Sequence, residues 1–309
     1  MSTINSQKWG FIFCPKKGSH KNCHLKKKIQ QILQEELTNY EFIESQEQGS
    51  IKHITKRMAQ ERFSTVIIIG GDAALNEAIN GIMEVSVSHP ILGVIPNGYG
   101  NDFAKFFMEK EISDYRQTIR TLKQQRTRKI DVGTCLLTDV FGKEEHLYFL
   151  DCINIGLAAS ITNIKRTTRR FLGRNTLSSL LSAMLLIFKR KIFKIAFHLP
   201  GEKIEKNAMT VCIGSATGYG QTPSAVPYNG LLDISVISDT PSLQIAHGLW
   251  LLFTGRFLKH KNLNVWRTKE VEISEIGRAT VSIDGHVIPH KEKTLKVGIL
   301  KEEIEFILP

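Results

Sequence analysis

The chain has 309 residues, 42% of them apolar and 23% charged, which excludes a disordered chain and leaves room for a sizeable core and two domains. Lysine and arginine outnumber acids 41 to 30, a net charge of +11, which points to an anionic partner such as a nucleotide or lipid headgroup. Without an RNA-binding aromatic signature or zinc-finger spacing no nucleic acid is expected; five scattered cysteines argue against disulfides and zinc, and no apolar run nears the roughly 20 residues that span a bilayer, so a cytoplasmic protein with reduced thiols is expected.

Trp9 to Cys14 reads as a buried strand, followed by a basic turn, Pro15-Lys16-Lys17-Gly18-Ser19, suited to a phosphate ligand. Leu25, Ile29, Ile32, Leu33 and Leu37 predict an amphipathic helix, Tyr40 to Ile43 a short strand, and Ile51, Ile54 and Met58 a second helix. The segment from Val66 to Glu77 then runs from a β-branched strand through Gly70-Gly71-Asp72 into a helix on which Leu75, Ala78, Ile79 and Ile82 recur at helical spacing. A glycine turn opening a helix presents free N–H groups and a favourable dipole to phosphate. A carboxylate at that edge repels phosphate unless a cation lies between them, so Asp72 reads either as an indirect Mg²⁺ contact or as the N-cap of its own helix.

Ile91 to Ile95 is the next strand, and Pro96-Asn97-Gly98-Tyr99-Gly100-Asn101-Asp102 forms a second glycine-rich turn opening a helix. Strands alternating with helices at this spacing predict a parallel sheet covered on both faces, with ligands bound beyond the strands' carboxyl ends. Neither a G-x-G-x-x-G nor a P-loop fingerprint is present.

A basic helix is expected from Tyr115 to Arg128, after which the pattern changes at Lys129-Ile130-Asp131-Val132-Gly133. Strands are then predicted at 146–154, 193–199, 209–214, 231–238, 264–273, 280–284 and 294–299, giving a mainly antiparallel β domain with two apolar helical inserts, Leu177 to Lys191 and Leu243 to Lys259. The first insert reads as a core helix. The cluster Lys165, Arg166, Arg169, Arg170 and Arg174 before it reads as a solvated basic face or as a dock for an anionic membrane. The expected domains are 1–128, with 296–309 returning to it, and 129–295.

These motifs, taken together, resemble the diacylglycerol kinase catalytic family, which includes bacterial soluble lipid kinases and sphingosine kinases. The carrying residues are Gly70, Gly71, Asp72, Leu75, Asn76, Glu77, Asn80 and Gly81, then Pro96, Gly98, Asn101, Asp102, Phe103 and Ala104. Ile130, Asp131 and Gly133, then Asn154, Gly156, Gly218-Tyr219-Gly220, Gly230-Leu231-Leu232-Asp233 and Asp284-Gly285 follow in the family's order.

The resemblance implies a phosphofructokinase- or NAD kinase-like α/β domain, a C-terminal β-sandwich and an ATP-dependent lipid kinase of phospholipid metabolism, peripheral to an anionic membrane and compatible with a homodimer. It implies nucleotide contacts from Pro15, Lys16, Ser45, Gly70, Gly71, Asp72, Ala73, Ala74, Glu77, Gly98, Asn101 and Asp102, and Mg²⁺ organised by Asp72, Asp102, Asp131 and Asp233. Asp284 would be the general base, with His286 beside it. The chain departs from the family at Ala73-Ala74, where the family carries Gly-Thr, and at Tyr99, Cys14, Asn229 and His286. If position 73 needs positive φ, alanine there costs about 1 kcal/mol or more. A nucleotide- or lipid-binding member without turnover is the alternative, and NAD kinase, with a similar Gly-Gly-Asp loop, the third reading. Asp284-Gly285 is also a strong hairpin signal in any protein.

Overall fold

The computed structural model describes residues 7–16, 22–86, 88–98, 101–108, 114–160, 192–277, 279–288 and 292–308. Tyr99, the 165–174 cluster and the 177–191 insert lie outside these residues. The described chain divides into two compact units, residues 1–130 with 302–309, and residues 131–301.

The first unit is a parallel α/β fold. Its strands are β1 (Trp9–Phe13), β2 (Tyr40–Glu44), β3 (Thr65–Gly70) and β4 (Ile91–Pro96), in the order β2-β1-β3-β4, and the end of the final strand, β15 (Glu292–Ile307), joins β4 through Phe306 opposite Leu92. β1 and β3 are buried along their whole length, which is why they read as unbroken apolar runs. Alternation then sorts the side chains: Trp9, Phe11, Phe13, Ile67 and Ile69 meet Ile29, Ile32 and Leu33 of α1 (Asn22–Glu36) and Ile119 and Leu122 of α5 (Tyr115–Lys123). The opposite face carries α2 (Ser50–Gln60), whose buried residues fall at helical spacing, and α3 (Asp72–Ile82), which is buried along most of its length on every side. Each fully buried Ile or Phe contributes about 1.5–3 kcal/mol, so this core fixes the strand ends on which the loops depend.

The second unit is antiparallel. β9 (Glu202–Gly214) is its spine: the first half pairs with β8 (Phe193–Leu199), the second with β7 (Cys152–Gly156) on one side and β10 (Leu232–Ser238) on the other. β11 (Leu263–Thr268) flanks β10, β12 (Glu270–Ser274) joins β8 to β15, and the hairpin β13–β14 (Val281–Ile283, His286–Ile288) flanks β7. β5 (Thr127–Asp139) pairs with β6 (Glu144–Phe149). The inner faces bury one core that includes Phe149, Ile153, Ile213, Ile234 and Val297. Parallel α/β followed by an antiparallel β-sandwich region is the fold class expected from the sequence.

Several boundaries differ, each for a local reason. The basic helix stops at Lys123 rather than Arg128, because Gln125 takes a left-handed φ of 47° and Thr127 opens β5. The single strand expected over 146–154 is two, broken at Leu150-Asp151, whose amides turn to the Asp284 carboxylate. The run 264–273 is broken at Lys269, where the Thr268 hydroxyl bonds Glu270. The insert from Leu243 to Lys259 is a helix, α6 (Ser242–Phe253), that ends before Gly255 at φ 68°, then a short 3-10 turn over Phe257–Lys259.

Candidate active site

In the first unit, ladder order decides which loops meet. β1 and β4 flank β3, so the residues beyond their carboxyl ends become neighbours: Cys14 N–H donates to Ile69 O at 2.9 Å, Asn97 N–H to Gly70 O at 2.7 Å, and Ser45 N–H to Phe13 O at 2.9 Å. Pro15 and Lys16 follow Cys14, and the Lys16 backbone is tied to the start of α1 by both polar atoms of the Asn22 side chain. Gly71 and Gly98 face each other so closely that a Cβ on Gly71 would stand 2.7 Å from the Gly98 Cα. Only two bare backbones fit there, so the two turns touch through their glycines. Asn101 holds the second loop shut from a left-handed φ of 56°: its Oδ1 accepts Gly98 N–H at 2.7 Å and its Nδ2 donates to Gly98 O at 3.3 Å.

Asp72 caps, but not its own helix. Gly71 is the N-cap of α3, while the Asp72 carboxylate accepts Asp102 N–H and Phe103 N–H, each at 3.1 Å, from the first turn of α4 (Asp102–Phe107). The two glycine turns are thus joined by one carboxylate. Ala73 and Ala74 both lie inside α3, and Ala73 is outside the left-handed region, so its methyl brings none of the backbone strain that a positive φ would cause. Ala73 is exposed, Ala74 buried, and Glu77, one turn on, keeps one carboxylate oxygen buried with no hydrogen-bond partner among the described residues.

The remaining expected site residues belong to the second unit. Asp284 and Gly285, at φ 44° and 81°, form the two-residue loop between β13 and β14, with Ile283 opposite His286; both φ values positive is the geometry of a tight I′ hairpin. The hairpin reading of Asp-Gly therefore holds. Asp284 is also 2% exposed, and its carboxylate accepts Leu150 N–H at 2.8 Å, Asp151 N–H at 3.0 Å and Cys152 N–H at 2.8 Å. Three amide donors stabilise the anion and fix its position. His286 is half-buried on β14. The Cys152 thiol behind this turn is pushed well up by burial, then by Cys212 and the nearby aspartates, so it is an inert thiol.

Asp131 and Asp233 are held differently. Asp131 is fully buried and accepts Gly230 N–H at 2.6 Å. Asp233 receives both arms of Arg267, at 2.6 and 2.9 Å, and Asn229 accepts Leu231 N–H within its own turn. As a divalent-cation site this set fits in part: Asp72 and Asp102 offer hard oxygen donors on adjoining turns, whereas Asp233 already has its charge balanced by a guanidinium. Sequence reading missed Asn22, Arg267 and Asp151, whose Oδ1 accepts Gly218 N–H at 2.9 Å. Asp151 had a visible signal, since a carboxylate inside an apolar run must be bonded or functional.

Residues 8–135 match the diacylglycerol kinase catalytic domain, and residues 152–299 match the YegS C-terminal NAD kinase beta sandwich-like domain. YtlR of Bacillus subtilis, a candidate lipid kinase, is 25% identical over 294 residues, covering 91% of this chain and 93% of its own. A diacylglycerol kinase of Staphylococcus carnosus is 24% identical over 249 residues, 78% and 76% of the two chains. Among solved structures, a candidate diacylglycerol kinase from Bacillus anthracis superposes with a TM-score of 0.76 at 20% identity, covering 99% of both chains. Yeast NADH kinase gives 0.57 at 9% identity, covering 99% of this chain and 84% of its own.

Proposed function

We propose that this chain, which belongs to the diacylglycerol kinase catalytic family, is a phosphotransferase that moves the γ-phosphate of ATP to the hydroxyl of a diacylglycerol-like lipid at an anionic membrane surface. The observation that carries the reading is the bare-backbone contact of Gly71 and Gly98, with Asp72 bonded across to the start of α4. Two adjoining glycine turns whose backbones touch, the first opening directly into α3, let a polyphosphate approach the backbone at that helix start. Lys16, next to Pro15 and just beyond the carboxyl end of β1, adds a cation at the same end of the sheet. Asp72 and Asp102 are the residues that would hold Mg²⁺, which when bound neutralises phosphate oxygens.

Asp284 is the proposed general base in the second unit, and its amide clamp supports that role by fixing the carboxylate's position. Phosphoryl transfer has a loose transition state, so the base's main task is to position the attacking hydroxyl and take its proton late. His286, two residues on, is a second group that can carry a proton. Asp131 and Asp233 are better explained as loop staples than as metal ligands.

A second reading, a nucleotide- or lipid-binding member without turnover, is favoured by Ala73-Ala74, which lack a hydroxyl at the first turn, and by His286. Titrating the protein with ATP and Mg²⁺ by calorimetry tests the nucleotide half. Saturable, Mg²⁺-dependent binding is expected. No binding by the wild type, and none after Ala73→Gly with Ala74→Thr, would replace the kinase reading.

A further inference from the structure

Residues 240 to 269 carry no aspartate or glutamate, although the chain has 30 acids in 309 residues, and the same stretch holds Arg256, Lys259, Lys261, Arg267 and Lys269. It folds as α6, the 3-10 turn and strand β11, which among the described residues pairs only with β10. Its inner side is ordinary core: Ile245 and Phe257 pack with Met209 and Ile237, Leu251 is buried, and the buried His260 ring bonds Gln244 O and Asn262 N–H.

The outer side is not ordinary surface. Trp250, Leu258 and Val265 are 53%, 51% and 57% exposed, three of the six large exposed apolar side chains among the described residues. Trp250 stacks on the exposed His247 ring at 5.9 Å, one turn earlier on the same helix face. Leu258 and Val265 line one cavity of about 280 Å³, which sets the 3-10 turn beside the edge strand. Arg267 pairs with Asp233, whereas Arg256, Lys259 and Lys261 are exposed and form no ion pair with a described residue.

We propose that this surface is a membrane-docking face: Trp250, Leu258 and Val265 enter the interface of an anionic bilayer while Arg256, Lys259 and Lys261 meet its phosphates. An exposed indole suits the headgroup region, and long basic side chains reach phosphate while their stems cover apolar surface. The stretch itself supplies no carboxylate, and Asp233, which lines the same cavity as Leu258 and Val265, is paired with Arg267, so the charge the stretch offers an anionic surface is positive. α6 is too short to cross a bilayer and no described helix is long and apolar enough to do so, so the face lies on the membrane rather than in it. The inference deepens the lipid-kinase reading, on which it rests for its purpose, by naming the surface that brings the enzyme to its substrate.

Vesicle sedimentation tests it, using phosphatidylcholine with and without about one-third phosphatidylglycerol. Wild type is expected to bind the anionic vesicles and release as salt rises, with brominated lipid quenching Trp250 fluorescence. Arg256→Gln, Lys259→Gln and Lys261→Gln together should weaken binding on the order of a hundred-fold, about five-fold per charge. Trp250→Ala should weaken it further and abolish the quenching. Both variants should keep the wild-type thermal midpoint and wild-type activity on substrate dispersed in detergent micelles, which need no bilayer docking. Undiminished binding by both folded variants, or no preference of wild type for anionic vesicles, would overturn the proposal. Absent micellar activity in wild type counts against the kinase reading alone and leaves the vesicle result to stand or fall by itself.

Discussion

Asp72 of the first unit and Asp284 of the second hold loops by the same device, a carboxylate accepting consecutive backbone amides, yet their surroundings oppose each other. Asp72 is half-exposed at the carboxyl end of β3 and takes two amides from the start of a neighbouring helix. Asp284 is buried in a strained tight turn and takes three from the break between β6 and β7. The exposed clamp orders a loop that faces solvent, so its loss should be felt mainly in ligand binding. The buried clamp also supports the core of its unit, as Asp131 and Asp151 do at Gly230 and Gly218. A catalytic reading of Asp284 must therefore be separated from a structural one, while for Asp72 the separation is easier.

The largest expected effect is at the buried clamp. Asp284→Asn sets an NH₂ group against an amide that needs an acceptor, which should lower unfolding stability by about 1–3 kcal/mol and, if Asp284 is the base, cut turnover roughly 10²- to 10⁴-fold. Denaturant unfolding beside a turnover assay reads both. Unchanged stability would show that the clamp contributes little. Next comes Asp72→Ala, which removes both acceptors from the first turn of α4: about 1–2 kcal/mol is expected from unfolding, with Mg²⁺-dependent ATP affinity falling by more than its Mg²⁺-free affinity. Equal loss with and without Mg²⁺ would make Asp72 a purely structural cap. Smallest is Arg267→Met, which leaves Asp233 without its guanidinium; because Arg267 is about half exposed, about 1 kcal/mol is expected. Asp233→Asn with Arg267→Met should recover most of it. A chelator that shifts the wild-type thermal midpoint but not that of Asp233→Asn would contradict the assignment of Arg267 as the counter-charge.

Local pattern carried much of this architecture. The β-branched runs of β1, β3 and β4, the helical spacing on α1 to α3 and the Asp-Gly hairpin were legible because each depends on residues close in sequence. The glycines of the first-unit loops were legible for the same reason. What escaped the sequence are partnerships across the chain: Asp72 with α4, Asp284 with residues 150–152, Arg267 with Asp233. None has a fixed spacing, since tertiary packing selects the partner. The break within 146–154 was hidden in the same way, because the amides that leave the ladder are satisfied by a carboxylate more than a hundred residues away.

The central claim is tested most directly by offering wild type ATP labelled in its γ-phosphate, with Mg²⁺, together with diacylglycerol in detergent micelles and NAD as competing acceptors. The account predicts label in the lipid, none in NAD, and lipid labelling by Asp284→Asn slowed roughly 10²- to 10⁴-fold despite ATP affinity within a few-fold of wild type. Label in NAD, or in neither acceptor, would contradict it.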